Sequence, residues 1–115
     1  MNVQEMQQSA TRAADLMKAL SSENRLMILC QLAEEEKTVG RLAETLGLRQ
    51  AAVSQQLALL RKDGLVAARR EGQQIHYRLN GREARAVIAV LYDLFCRASR
   101  DRTEDTRSGA LQDAG

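Results

Sequence analysis

Along the first nineteen residues, apolar positions return every three or four steps: Met6, Ala10, Ala13, Ala14 and Met17. This spacing predicts an amphipathic helix over 4–19. "LSSEN" follows, with Ser21 or Ser22 as an N-cap. The run "RLMILCQLA" behind it is apolar nearly all round, so a second helix belongs at the centre of the core. The acidic cluster Glu34-Glu35-Glu36 ends this helix and reads as a solvated surface. "TVGRLAETLGL" predicts a short helix from near Thr38 to Gly47, a glycine placed to end it. The stretch "GLRQAAVSQQLALLRKDGLV" supplies a fourth helix, stopped at Asp63-Gly64.

Beyond Gly64 the period changes from helical to two. "LVAARR" and "QQIHYRL" read as extended segments with Val66, Ile75, Tyr77 and Leu79 inward and a turn at Glu71-Gly72. From Arg82, "REARAVIAVLYDLFCRASR" places Val87, Val90, Leu91, Leu94 and Phe95 on the apolar face of one long helix. Two short helices joined by a glycine-containing turn, with a hairpin behind them, make a winged helix-turn-helix. The expected architecture is mainly α (α+β), with a two-stranded wing, in one domain over 1–100. The tail 101–115, "DRTEDTRSGALQDAG", is polar and small and is expected to be disordered. No internal repeat is visible.

Composition narrows the class. At 115 residues the chain can bury a modest core but is small for an enzyme with a deep cleft. Aromatic residues make up 3 %, so the core must be aliphatic, and the absence of proline favours helices. No apolar run approaches the ~20 residues of a membrane span, and the N-terminus is too polar for a secretory signal, so a cytoplasmic location is expected. The net charge of +2 is unevenly spread. Residues 49–82 hold seven Lys or Arg against two Asp or Glu, a balance of +5, while the flanking segments are at −2 and −1. Positive charge gathered in one third of a chain is the footprint of a phosphate-binding surface.

That basic third contains the fourth helix, whose two sides differ. Val53, Leu57 and Leu60 fall on one side and must face the core. Ala51, Ser54, Gln55 and Lys62 fall opposite, with Gln50 at the flank. Glutamine can bond adenine through two hydrogen bonds, serine can serve any base, and an alanine methyl can lie against a thymine methyl. Arg49, Arg61 and Lys62 are placed to grip phosphates, which sets register without reading sequence. In the wing, Arg69, Arg70 and Gln73 or Gln74 can reach the backbone or the adjacent minor groove. A glutamine-rich solvated face is the plain alternative for the helix alone. Helix-turn-helix, wing and local charge together favour double-stranded DNA.

Two cysteines, Cys30 and Cys96, stand 66 positions apart. In a reducing compartment they are either inert core residues or a redox or ligand site. There is no Cys-x-x-Cys motif and no His/Cys constellation, which speaks against a thiol oxidoreductase or other enzyme.

"KALSSENRLMIL", "ETLGLRQAAVSQQLALLRKDGLV" and "RREGQQIHYRL" resemble the ArsR/SmtB winged-helix repressors, and the likeness runs from about Ala14 to Arg97. It implies a homodimer built on the first and last helices, an operator of dyad symmetry and repression relieved by an inducer. The recognition positions it implies are Gln50, Ala51, Ser54, Gln55 and Gln56. Many such repressors sense metals, and here the chain departs from them: Thr38 and Gly40 occupy the thiol positions of the cysteine box, and the only histidine is His76, in the wing. Neither a metal site nor a cofactor is expected.

"RLMILCQL", "VGRL", "VSQQLALLRKDGLV" and "LYDLFCRAS" further resemble the sulfide- and persulfide-responsive subgroup of the BigR/SqrR type, to which HlyU is related. This implies that Cys30 and Cys96 form a redox switch, joined by reactive sulfur species through a disulfide or a longer sulfur bridge, with release of DNA. A thiolate is the reactive form, and a nearby cation lowers a thiol pKa; Arg25, Arg97 or Arg100 is expected to supply that charge.

Overall fold

In the computed structural model, residues 2–97 are described. The tail over 101–115 therefore lies outside the described residues. Helix α1 spans Val3–Ala19 and opens with a reciprocal cap: the Asn2 side chain accepts from the Glu5 amide at 2.8 Å, and Glu5 accepts from the Asn2 amide at 3.3 Å. Helix α2 runs Glu23–Glu34, capped by the Ser22 hydroxyl. A two-residue strand β1, Lys37–Thr38, leads into α3, Val39–Leu46, with Thr38 serving also as its N-cap. Gly47 ends α3 in the left-handed conformation, φ 69°, where a side chain would be strained. Helix α4 follows at Gln50–Lys62, then strands β2 (Val66–Glu71) and β3 (Gln74–Leu79), and helix α5 (Arg82–Leu91). The chain continues from α5 as a wider, π-helical segment, Tyr92–Arg97.

Ile28 and Leu29 of α2, Leu42 of α3, Val53, Leu57 and Leu60 of α4, and Ile88 of α5 are fully buried together. Each such side chain contributes about 1.5–3 kcal/mol by leaving water. The core is aliphatic, as the scarcity of aromatics requires. The three strands lie antiparallel in the order β1-β3-β2, with Lys37 opposite Tyr77, Ala68 opposite Tyr77 and Val66 opposite Leu79.

Four details differ from the sequence expectation. The hairpin gains a third strand, β1, too short to leave a period in the sequence. Ile75, expected inward, is 40 % exposed: Val66 and Leu79 at the base of the hairpin are buried in the core and Tyr77 packs against it, while Ile75 lies nearer the turn. The last helix widens at Tyr92 instead of continuing as one α-helix. The acidic cluster is not a bare solvated surface: Glu34 holds Lys37 and Tyr92, and Glu36 holds Arg69. Along α1, α5 and the π-helical segment, Met6, Met17, Val90, Leu94 and Phe95 remain exposed. A cleft of about 870 Å³ separates α1 from α5, spanned by the Arg12–Glu83 ion pair at 3.2 Å.

Candidate DNA interface and dithiol site

Burying Val53, Leu57 and Leu60 turns the other face of α4 to solvent. Arg49, Gln50, Ala51, Ser54, Gln55, Arg61 and Lys62 are all exposed on it or at its ends. Gln50 extends over the start of α3, its amide nitrogen 3.7 Å from where a Cβ on Gly40 would lie. Gln56 departs from this set. It is half-buried, and its Oε1 accepts from Arg25 Nε at 2.9 Å, while another nitrogen of Arg25 donates to the Ala19 carbonyl at 3.3 Å. Gln56 thus ties α4 to α2 and to the end of α1 and is turned away from the outward face.

In the wing, Arg70, Gln73 and Gln74 are exposed, and Arg70 Nε donates to the Gly72 carbonyl at 3.3 Å. Arg69 is held differently. Its Nε donates to Glu36 at 2.8 Å and its guanidinium to Glu71 at 3.2 Å. The hydrogen bond to Glu36, then that to Glu71, raises its pKa further above the ordinary arginine value. Its charge is largely answered within the chain, so of these two adjacent arginines Arg70 is the one that carries an unanswered charge.

Cys30 on α2 and Cys96 on the π-helical segment are free thiols, both half-buried, and they lie close enough for Cys96 to bear on the titration of Cys30. The Cys30 thiol is pushed up to about 12, first by burial, then by the hydrogen bond and charge of Cys96 and by the charge of Glu34. A cation lowering this thiol's pKa was the sequence expectation; the structure reverses its sign for Cys30. Arg25 is occupied by Gln56 and Ala19, while the Arg97 side chain and Arg100 lie outside the described residues.

Three residues beside the thiols escaped sequence reasoning. Lys37 is buried, its Nζ donating to the Gln31 carbonyl at 3.1 Å, to Gln31 Oε1 at 2.7 Å and to Glu34 Oε1 at 3.1 Å. The Tyr92 hydroxyl donates to Glu34 Oε2 at 2.9 Å. The available signal was spacing: Glu34 lies four residues after Cys30, and Tyr92 four before Cys96. Among the described residues, no group of three or more His, Cys, Asp or Glu side chains could hold a metal ion. His76 sits 3.5 Å from Glu71 on the wing. No helix among the described residues is long and apolar enough to cross a membrane.

Residues 22–68 match the family of bacterial regulatory proteins named arsR. The transcriptional activator HlyU of Vibrio cholerae is 46 % identical over 100 residues, covering 87 % of this chain and 93 % of its own. A crystal structure of the transcriptional regulator HlyU from Vibrio vulnificus is 46 % identical with a TM-score of 0.80, over 84 % of this chain and all of that one. The transcriptional repressor BigR of Xylella fastidiosa is 40 % identical with a TM-score of 0.79, over 84 % of this chain and 96 % of that one. A homodimeric winged helix-turn-helix DNA-binding domain from Mycobacterium bovis aligns at 31 % identity with a TM-score of 0.68, over 82 % of this chain and 86 % of that one.

Proposed function

The chain belongs to the arsR family of bacterial regulatory proteins, a winged-helix DNA-binding regulator and not an enzyme, and on that premise we propose how it is switched. It acts in the cytoplasm as a homodimeric repressor that holds operator DNA while Cys30 and Cys96 are reduced. It releases the operator when reactive sulfur species bridge them. The observation that carries this reading is the pairing of the two thiols across α2 and the terminal segment. Gln50, Ala51, Ser54 and Gln55 read base edges, Arg49, Arg61 and Lys62 grip phosphates, and Arg70, Gln73 and Gln74 extend the contact from the wing.

Cys30, held protonated at neutral pH, leaves the opening attack to Cys96. The Cys96 thiolate takes the outer sulfur of an organic persulfide RSSH, releasing RS⁻. The released RS⁻ takes the Cys30 proton and becomes RSH, leaving the Cys30 thiolate. That thiolate attacks Cys96 Sγ and expels HS⁻. In sum, the dithiol and RSSH give a disulfide, RSH and H₂S. Each further persulfide inserts one sulfur and releases one RSH. The bridge then biases how the two reading heads of the dimer meet successive major grooves, about 34–36 Å apart. A coupling of ~1–3 kcal/mol changes affinity 5–150-fold.

The burial and high pKa of Cys30 favour a second reading, in which the cysteines are inert and another ligand induces. Gel-shift titration on the chain's own upstream DNA, with and without persulfide, separates the two. The dithiol reading expects binding by wild type, Cys30→Ser and Cys96→Ser alike, with persulfide releasing only the wild type. Equal release of all three proteins leaves only the second reading.

A further inference from the structure

We infer that Glu34 and Tyr92 are positioning residues of the dithiol, forming a second rung beside it that aligns Cys96 with Cys30. This rests on the reading of the two cysteines as a switch. Cys30 and Glu34 are four residues apart on α2 and share one face, a turn from each other. Tyr92 and Cys96 are also four apart, a little less than one turn of the π-helical segment. The contacts cross in order: Cys30 meets Cys96, and Glu34 meets Tyr92. The two segments therefore run antiparallel here, with the thiol pair and the carboxylate–phenol pair as adjacent rungs.

The second rung is anchored at its far side. One oxygen of Glu34 accepts from Tyr92 at 2.9 Å and the other from Lys37 at 3.1 Å. The Lys37 side chain is 5 % exposed and is fixed further by both oxygens of Gln31. Lys37 also belongs to β1 and pairs with Tyr77 of the wing hairpin, so the rung is fastened to the sheet. A thiol held in place joins its neighbour with a higher effective concentration than one on a loose segment. Hydrogen bonds to charged groups are among the stronger ones, so loss of the Tyr92–Glu34 bond should weaken bridging about 10-fold.

The test equilibrates the full chain with reduced and oxidised glutathione, in which the dithiol and GSSG give the protein disulfide and two GSH. Tyr92→Phe and Glu34→Gln are expected to lower the equilibrium constant about 10-fold each. Alkylation of Cys30 near pH 8, followed on its peptide by mass spectrometry, adds a readout that mere loss of packing would not split. It should quicken more in Glu34→Gln, where a negative charge has gone together with the alignment of Cys96, than in Tyr92→Phe, where the charge remains. If Glu34→Gln loses its cooperative melt, Tyr92→Phe decides alone, since it removes one hydroxyl and keeps the ring. Bridging by both variants at the wild-type constant overturns the rung and leaves the switch standing. Failure of the folded wild type to bridge overturns the switch itself, and the rung with it.

Discussion

Two side chains illustrate how a single contact changes a residue's role. Gln55 and Gln56 are neighbours in sequence, yet Gln55 is exposed and Gln56 is spent on Arg25. Gln55→Ala is therefore expected to relax base preference by about 1–3 kcal/mol at one operator position. Gln56→Ala should leave that preference intact and lower stability by roughly 0.5–3 kcal/mol, since Arg25 then loses an acceptor. Binding to a panel of operator variants, beside denaturant melts, checks both. Cys30 gives the pH prediction. Its folded pKa of about 12 stands above the ordinary thiol value of 9.0, so folding favours the protonated thiol. That contribution is complete below pH 9 and is lost as pH rises towards 12. Cys96→Ala removes two of the influences that raise it, the hydrogen bond and the charge. The Cys30 pKa should fall part of the way towards 9.0, with burial and Glu34 still holding it up, and the alkylation rate at fixed pH should rise accordingly.

Among the elements, the wing shows charge being assigned by neighbours. Arg69 and Arg70 are adjacent in β2 and point to opposite faces; Arg69 meets Glu36 and Glu71, whereas Arg70 donates to the Gly72 carbonyl. If the wing grips phosphate, Arg70→Ala should flatten the salt dependence of operator binding by about one counterion, and Arg69→Ala by clearly less. Glu36→Gln should release part of the Arg69 charge and steepen the slope. Fluorescence anisotropy across a salt series reads all three, and equal slopes for both arginine variants would contradict the assignment. In the helical core, Ile88 is a fully buried side chain of α5, the helix that packs on α2, so Ile88→Ala should cost about 2–5 kcal/mol in a thermal or denaturant melt.

For the whole molecule, the exposed apolar residues divide unequally. Met6 and Met17 on α1, Val90 on α5, and Leu94 and Phe95 on the π-helical segment are left uncovered although the α2, α3 and α4 faces are well filled. In the proposed homodimer these are the surfaces that meet. Leu94→Glu should then shift the protein to a monomer in analytical ultracentrifugation and weaken operator binding steeply, because a dyad-related site needs both heads. Operator binding by a dimer of unchanged strength would place the interface elsewhere.

The local elements were legible because period and punctuation are local properties. Apolar spacing placed α1 to α4, glycine and Asp63-Gly64 marked their ends, and alternation marked the hairpin. The outward face of α4 followed from the burial of Val53, Leu57 and Leu60 alone. Charge bookkeeping pointed to the same third of the chain. Only the tertiary structure decided who answers whom. It turned Gln56 inward, neutralised Arg69, set Lys37 in the interior and brought Cys30 to Cys96 with Glu34 and Tyr92 alongside. The reason is physical: helix period and turn preference act over a few residues, whereas the pKa of a thiol and the freedom of a charge depend on groups that are distant in sequence and are brought close only by packing.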